Sequence, residues 1–213
     1  MNLTLKESLV TRSRVFSPWT AFYFLQSLLI NLGLGYPFSL LYTAAFTAIL
    51  LLLWRTLPRV QKVLVGISSL VAACYFPFAQ AYGAPNFNTL LALHSTNMEE
   101  STEILTIFPW YSYLVGIFIF ALGVIAIRRK KESEKARWNT FDSLCLVFSV
   151  ATFFVAPVQN LAWGGVFKLK DTGYPVFRFA KDVIVNNNEV IEEQERMAKL
   201  SGMKDTWTVT AVK

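Results

Sequence analysis

Acidic and hydroxyl side chains are gathered in residues 91–105, LALHSTNMEESTEIL, between stretches that are almost entirely apolar. The stretch holds His94, the only histidine of the chain, together with three glutamates and no Lys or Arg. A carboxylate binds an ammonium group, and neutral hydroxyl or amide donors bind a phosphate. At a membrane surface, these residue types suit a lipid headgroup that carries both of those charges.

Two local structures account for the spacing of these residues. If one helix runs through positions 88, 92, 96 and 100, Asn88, Thr96 and Glu100 share a face, and Asn97 is a further neutral donor beside them. If a helix starts here instead, Thr96 with Glu99, or Asn97 with Glu100, forms a capping box and the acids stabilise the helix N-terminus. The spacing alone leaves both interpretations open and favours the cap.

Other chemistries lack the residues that they need. The chain has no Cys/His cluster, no glycine-rich phosphate loop and no G-x-S-x-G, so we predict no catalytic residue in it. A metal site usually needs three or four ligands, and His94 with nearby glutamates is too few, so we predict no metal or cofactor bound by this chain. We interpret Cys74 and Cys145, whose spacing matches no metal or redox motif, as small packing residues.

The elements that position this stretch are membrane helices. Of the 213 residues, 54% are hydrophobic and only 16% are charged, and the apolar runs are long enough to cross a bilayer. We therefore predict an all-α, polytopic membrane domain over residues 1–163 and a polar linker over residues 164–213. The five predicted spans lie near 17–35, 38–57, 61–81, 109–127 and 143–163.

The basic residues predict the orientation of these spans. Lys and Arg gather before the first span, between the second and third and between the fourth and fifth, whereas 36–37 and 82–108 contain none. Because positive charge stays in the cytoplasm, the N-terminus is predicted inside, and both 82–108 and the C-terminus outside. The net charge of +6 then reflects topology, and we predict no nucleic-acid partner.

Three further features of the chain carry predictions. Pro77 should break or kink the third span, and residues 86–105 should form two short helices at the outer interface. Apolar residues at helical spacing predict an amphipathic helix near 176–184, ended by the asparagines at 186–188, with a solvated helix or linker at 189–200. Residues 206–212 alternate like the start of a β-strand that needs a sheet, so we expect a further domain to follow.

The segment AYGAPNFNTLLALHSTNMEESTEIL, between a third and a fourth span, resembles the membrane domain of bacterial phosphoethanolamine transferases. The resemblance covers essentially the whole chain and is strongest to the members that act on osmoregulated periplasmic glucans. It implies a five-helix inner-membrane domain, followed by a periplasmic alkaline-phosphatase-like domain that carries zinc and a nucleophilic threonine. It also implies phosphatidylethanolamine as the donor lipid and a periplasmic glucan as the acceptor.

The resemblance also assigns roles within the opening stretch. A Thr and a Glu four residues later help to form the donor-headgroup site in this family, and Thr96 and Glu100 match them. Ala92 stands where the lipid A-modifying members have an Asn, so Asn97 or Asn88 is expected to take its place. With the resemblance included, the substrate-binding interpretation of Thr96, Asn97 and Glu100 is favoured over the cap.

Two alternatives differ in the acceptor or in the class of protein. A transferase of the same family could act on lipid A or on the lipopolysaccharide core. A non-enzymatic membrane protein, such as a transporter subunit or an assembly partner, is the other. Transport needs ionisable groups inside the spans, and the interiors of the first four contain none.

Overall fold

The apolar runs of the sequence form helices that pack side by side. The computed structural model describes residues 18–96, 106–129, 138–163 and 173–203, and within these ranges it contains seven α-helices and no strand. The predicted all-α fold is confirmed for this part of the chain. In chain order the helices are α1 (Pro18–Gly33), α2 (Leu40–Thr56), α3 (Pro58–Tyr82), α4 (Phe87–Ser95), α5 (Trp110–Arg128), α6 (Thr140–Ala162) and α7 (Pro175–Met203).

A helix lies at each of the five positions where a span was predicted. In the described ranges, α3, α5 and α6 are long and apolar enough to cross a membrane by length and composition. The apolar helix α2 is shorter, with 17 residues, and α1 has 16, whereas a straight crossing takes about 20 residues. Five crossings, the orientation and the division at residue 163 therefore stay predictions.

Glycines let α5 approach α3 closely. A Cβ atom on Gly116 would lie 2.7 Å from the carbonyl oxygen of Ala73, and one on Gly123 would lie 2.6 Å from the Cβ of Ser69. Small residues at such crossings bring helix backbones together where no hydrophobic force favours one apolar surface over another. The contact between α3 and α5 is the most extensive helix pairing in the described chain.

Pro77 does not break α3, which runs without interruption from Pro58 to Tyr82. A proline leaves the carbonyl of residue i−4 without its helical donor, and that residue is Ala73. The Ala73 carbonyl faces Gly116 of α5, where the missing side chain admits the neighbouring backbone. The predicted break is wrong, whereas a kink at Pro77 stays a prediction, and the backbone of α5 packs over the freed carbonyl.

Neutral polar pairs hold α1 against its neighbours inside the bundle. Gln26 donates from Nε2 to Ser69 Oγ on α3 at 3.1 Å, and Asn31 donates from Nδ2 to Thr43 Oγ1 on α2 at 3.1 Å. All four residues are buried. Each hydroxyl accepts one amide hydrogen, whereas Gln26 Oε1 and Asn31 Oδ1 are buried and accept no hydrogen bond from the described residues.

An ion pair joins the end of α2 to the start of α6. The Arg55 guanidinium contacts the Asp142 carboxylate, whose side chain is only 3% exposed. The second Asp142 oxygen accepts a hydrogen bond at 3.0 Å from the backbone N–H of Asn139, and this completes a capping box for α6. No sequence pattern pairs these two residues, because they lie 87 residues apart in the chain.

Two left-handed glycines meet where the α1–α2 connection rests on the end of α3. Gly35 has φ +80° and Gly83 has φ +72°, a conformation that residues with a Cβ rarely adopt. A Cβ on Gly35 would lie 2.4 Å from the Gly83 carbonyl. The close contact fixes Tyr36, which follows Gly35 and is 5% exposed, beside the end of α3.

Helix α7 is continuous through the asparagines at 186–188, so the predicted boundary there is wrong. Asn186 donates from Nδ2 to the Asp182 carbonyl of its own helix and to the Pro85 carbonyl before α4. These tertiary partners occupy the amide that the sequence interpretation reserved for a cap. The predicted strand at 206–212 lies outside the described residues.

Candidate functional site

A cavity of about 660 Å³ lies between the end of α3, the helix α4 and the first turns of α7. Its walls are mostly apolar and aromatic, with amide and hydroxyl groups on the α4 side, and none of the described residues that line it is Lys, Arg, Asp or Glu. Such a space suits an uncharged chain with a polar end. It is lined by Leu70, Val71, Cys74, Tyr75, Phe78, Tyr82, Pro85, Asn86, Asn88, Thr89, Leu90, Ala92, Leu93, Thr96, Phe179 and Val183.

The helix α4 brings the predicted positions into this cavity. Asn86 caps it, since its Oδ1 accepts hydrogen bonds from the backbone N–H of Thr89 at 3.0 Å and from the Thr89 hydroxyl at 3.1 Å. Asn88, Ala92 and Thr96 then follow at intervals of four, and all three line the cavity. Their common side agrees with the spacing argument.

Thr96 ends α4 rather than continuing it. Its backbone is extended, with φ −76° and ψ 128°, and its hydroxyl donates to the Ala92 carbonyl in the last turn. A hydroxyl has one hydrogen and two lone pairs, so Thr96 in this state faces a ligand as an acceptor. The predicted role of Thr96 as a donor to phosphate requires that the hydroxyl first release Ala92.

The other two predicted site residues, Asn97 and Glu100, lie outside the described residues, as does the second predicted interfacial helix. Because α4 ends at Ser95, no single helix runs from Asn88 through Glu100. The shared face is therefore observed for Asn88 and Thr96, and the contribution of Asn97 and Glu100 stays a prediction.

His94 points to α7 and away from the cavity. Its Nε2 lies 2.8 Å from the Oδ1 of Asn187, which is 93 residues further along the chain, so this hydrogen bond joins α4 to α7. The described residues contain no group of three His, Cys, Asp or Glu side chains that could hold a metal ion. The donor set for the zinc of the resembling family is thus not found in this part of the chain.

The helix α7 forms the wall opposite α4. Phe179 and Val183 line the cavity, and the Phe179 ring packs edge-on against Tyr75 of α3 with 5.0 Å between centroids. The predicted amphipathic pattern is therefore present, although Ile184 on the predicted apolar side is 61% exposed. Because Ile184 projects away from the bundle, only part of the apolar face of α7 contacts the other helices.

A carboxylate on α7 is bound by the α1–α2 connection, which the sequence did not predict. The Tyr36 hydroxyl donates to Asp182 Oδ2 at 2.8 Å, and Arg178 Nε lies 3.5 Å from the same oxygen. The Arg178 guanidinium also lies 5.1 Å from the centroid of the Tyr36 ring. Burial, followed by the nearby Asp182 carboxylate, raises the pKa of the Tyr36 phenol, so Tyr36 stays a donor in ordinary buffers.

Sequence reasoning missed one signal for these contacts, which is the spacing of Arg178, Asp182 and Asn186. They recur every four residues and so share one side of α7. Arg178 and Asp182 lie opposite the apolar residues of the predicted amphipathic helix, yet this side contacts Tyr36 and the Pro85 carbonyl. A polar stripe that borders an apolar stripe marks a helix with partners on two sides.

Comparison with known proteins identifies a relative of the whole chain. It is 99% identical, over all 213 residues, to the curated Phosphoethanolamine transferase OpgE of Escherichia coli (strain K12). The chain corresponds to the N-terminal part of that protein and spans 40% of its length. No family model matches the chain, and no solved structure matches it. The resemblance to a phosphoethanolamine transferase indicated by residues 81–105 is confirmed.

Proposed function

We propose that this chain is the membrane part of an inner-membrane enzyme that transfers phosphoethanolamine from phosphatidylethanolamine to periplasmic glucans. In this proposal its cavity binds the donor lipid, and its helices anchor the catalytic domain at the outer surface of the membrane. The cavity carries the proposal, because it combines apolar walls with Asn88 and Thr96 at one polar edge. Its volume of about 660 Å³ is within the range of small-molecule sites.

The polar edge of the cavity is the proposed place of the headgroup. Thr96 lines the cavity, and Asn97 and Glu100 follow it in the sequence by one and four residues. A carboxylate at Glu100 would bind the ammonium group, and the amides at Asn88 and Asn97 would donate to the phosphate. The lack of Lys and Arg in this segment leaves the carboxylate free for the ammonium.

The proposal assigns the bond-breaking chemistry to the part of the relative's length that this chain does not span. Zinc and the nucleophilic threonine are expected there from the resemblance. The described residues of this chain offer no group of metal ligands, so we derive no catalytic step for them. The proposed topology places the N-terminus in the cytoplasm and the cavity on the periplasmic side.

Filling the cavity tests the donor site directly. In the full-length enzyme, Ala92→Trp should lower transfer from phosphatidylethanolamine at least about tenfold, a loss of about 1.4 kcal/mol of transition-state stabilisation. Leu91→Trp is the matched control, because Leu91 is on the same helix but does not line the cavity. Equal activity of the two variants at equal membrane levels would refute the donor site.

A second pair of variants separates binding from capping at Thr96. Thr96→Val keeps the shape and removes the hydroxyl, whereas Thr96→Ser keeps the hydroxyl and its bond to the Ala92 carbonyl. We expect Thr96→Val, like Glu100→Gln, to lose about tenfold in transfer without loss of protein, and Thr96→Ser to stay near wild type. A lower protein level with normal activity per molecule would show that Thr96 is only a cap.

The acceptor is tested with the same enzyme. Mass spectrometry of periplasmic glucans, lipid A and lipopolysaccharide core should find phosphoethanolamine added to the glucans. If phosphoethanolamine were added to lipid A or to the core alone, the proposed acceptor would be wrong, but the proposed donor site would not be affected.

A further inference from the structure

The helix α7 is both a wall of the cavity and a separate element that must be held in place. Phe179 and Val183 face the cavity from α7, and Asp182 lies between them in the chain, directly before Val183. A rotation or shift of α7 that moved Asp182 would therefore also move two of the side chains that line the cavity.

The polar contacts of α7 with other segments run from Asp182 to Asn187, whose Oδ1 lies 2.8 Å from His94 Nε2. Tyr36 donates to Asp182 Oδ2 at 2.8 Å from the α1–α2 connection, which rests on the end of α3 through Gly35 and Gly83. One turn further on, Asn186 donates to the Pro85 carbonyl at 3.4 Å. A hydrogen bond to a carboxylate is stronger than one between neutral groups, so the Tyr36 contact is the strongest of these.

We propose that Asp182, held by Tyr36, is a positioning residue that sets the α7 wall of the donor cavity and so tunes the affinity for the donor lipid. Asp182 does not line the cavity. It acts through the backbone of α7, which carries Phe179 and Val183. This inference rests on the proposed function for its substrate, but the docking of α7 is a property of the fold alone.

The arrangement predicts a specific pattern of kinetic effects. Loosening the wall weakens donor binding, and it leaves untouched the groups proposed to perform the transfer. In the full-length enzyme, Tyr36→Phe and Asp182→Ala should each raise the KM for phosphatidylethanolamine at least about threefold with little change in kcat. The double variant should be no worse than the more severe single variant, because both changes remove the same hydrogen bond.

Two controls match the chemistry of these changes. Glu192→Gln removes a carboxylate from the exposed side of α7, and Tyr111→Phe removes a hydroxyl from an exposed tyrosine at the start of α5. Neither residue lines the cavity, and both variants should keep the wild-type KM. A purely structural loss would instead lower the amount of folded enzyme and leave its KM unchanged.

Amide hydrogen exchange over residues 176–190 tests the docking without any need for transfer. Faster exchange in Tyr36→Phe and Asp182→Ala, together with the raised KM, would support the inference. Faster exchange with an unchanged KM would overturn the inference, because the docking of α7 would then not affect donor binding. Unchanged exchange in both variants would also overturn it. A wild-type enzyme that transfers no phosphoethanolamine from phosphatidylethanolamine would refute the proposed function itself, whatever the exchange data show.

Discussion

The ion pair between Arg55 and Asp142 provides the sharpest test of what stabilises the helix bundle. Asp142 has a side-chain exposure of 3% and Arg55 of 16%, so removing Arg55 leaves a carboxylate that is largely cut off from water. Breaking a buried pair in this way costs about 3 to 5 kcal/mol. Arg55→Met should approach the upper end, because it strands the more buried charge.

The second variant and the double variant make the argument quantitative. Asp142→Leu also removes the carboxylate of the α6 capping box, which adds about 1 kcal/mol, but the Arg55 that it leaves is partly hydrated. Replacing both residues by apolar ones removes the unpaired charge altogether, and such swaps are often neutral. Arg55→Met with Asp142→Leu should therefore be more stable than either single variant.

Unfolding in mixed detergent micelles, followed by far-ultraviolet circular dichroism, measures these free energies. Arg196→Met is the control, since the Arg196–Glu193 pair on α7 has side chains that are 71% and 46% exposed. An exposed pair contributes at most about 1 kcal/mol. Single variants that each cost less than about 1 kcal/mol and add up in the double variant would show that the pair does not join α2 to α6.

Two further predictions concern helix contact and pH. Gly116→Ala should destabilise the bundle by about 1 to 3 kcal/mol in the same unfolding assay, because its Cβ would lie 2.7 Å from the rigid Ala73 carbonyl. Gly66→Ala is the control and should be nearly neutral, because its Cβ would meet only the flexible end of a side chain at 3.1 Å. Equal effects of the two substitutions would contradict the close contact. Burial raises the pKa of Tyr174 from 10.0 to about 12, and its hydroxyl donates to the Ser149 carbonyl. The stabilisation from this hydrogen bond should be complete below pH 10 and disappear as the pH rises through 12. The difference in phenolate absorbance between wild type and Tyr174→Phe should titrate near 12, and a midpoint near 10 would refute the burial of this phenol.

The sequence predicts the helices well because lipid-facing helices are specified by uninterrupted apolar composition. It fails where tertiary contacts override a local signal. Pro77 is a helix breaker by itself, yet α3 continues through it because Gly116 allows α5 to cover the freed carbonyl. The asparagines at 186–188 are good caps in isolation, yet Asn186 and Asn187 bind groups near α4 instead.

The candidate site shows the same difference between local patterns and tertiary contacts. The intervals of four in residues 88–96 are local, so the sequence correctly brought Asn88, Ala92 and Thr96 to one side. The wall formed by α7 and its attachment through Asp182 depend on contacts between distant segments. Nothing in a single sequence pairs Tyr36 with a carboxylate 146 residues later, since spacing reports only neighbours along a helix or strand.

The distance in sequence between Tyr36 and Asp182 also has a consequence for folding during synthesis on the ribosome. At a synthesis rate of roughly 5 to 20 residues per second, the 146 residues between them take about 7 to 30 s to make. The contact between the α1–α2 turn and the end of α3 can form sooner, because it needs only Gly83 in addition to Gly35. The cavity of the nascent chain thus lacks one wall until α7 is made, and it would lack that wall on a ribosome stalled before residue 182.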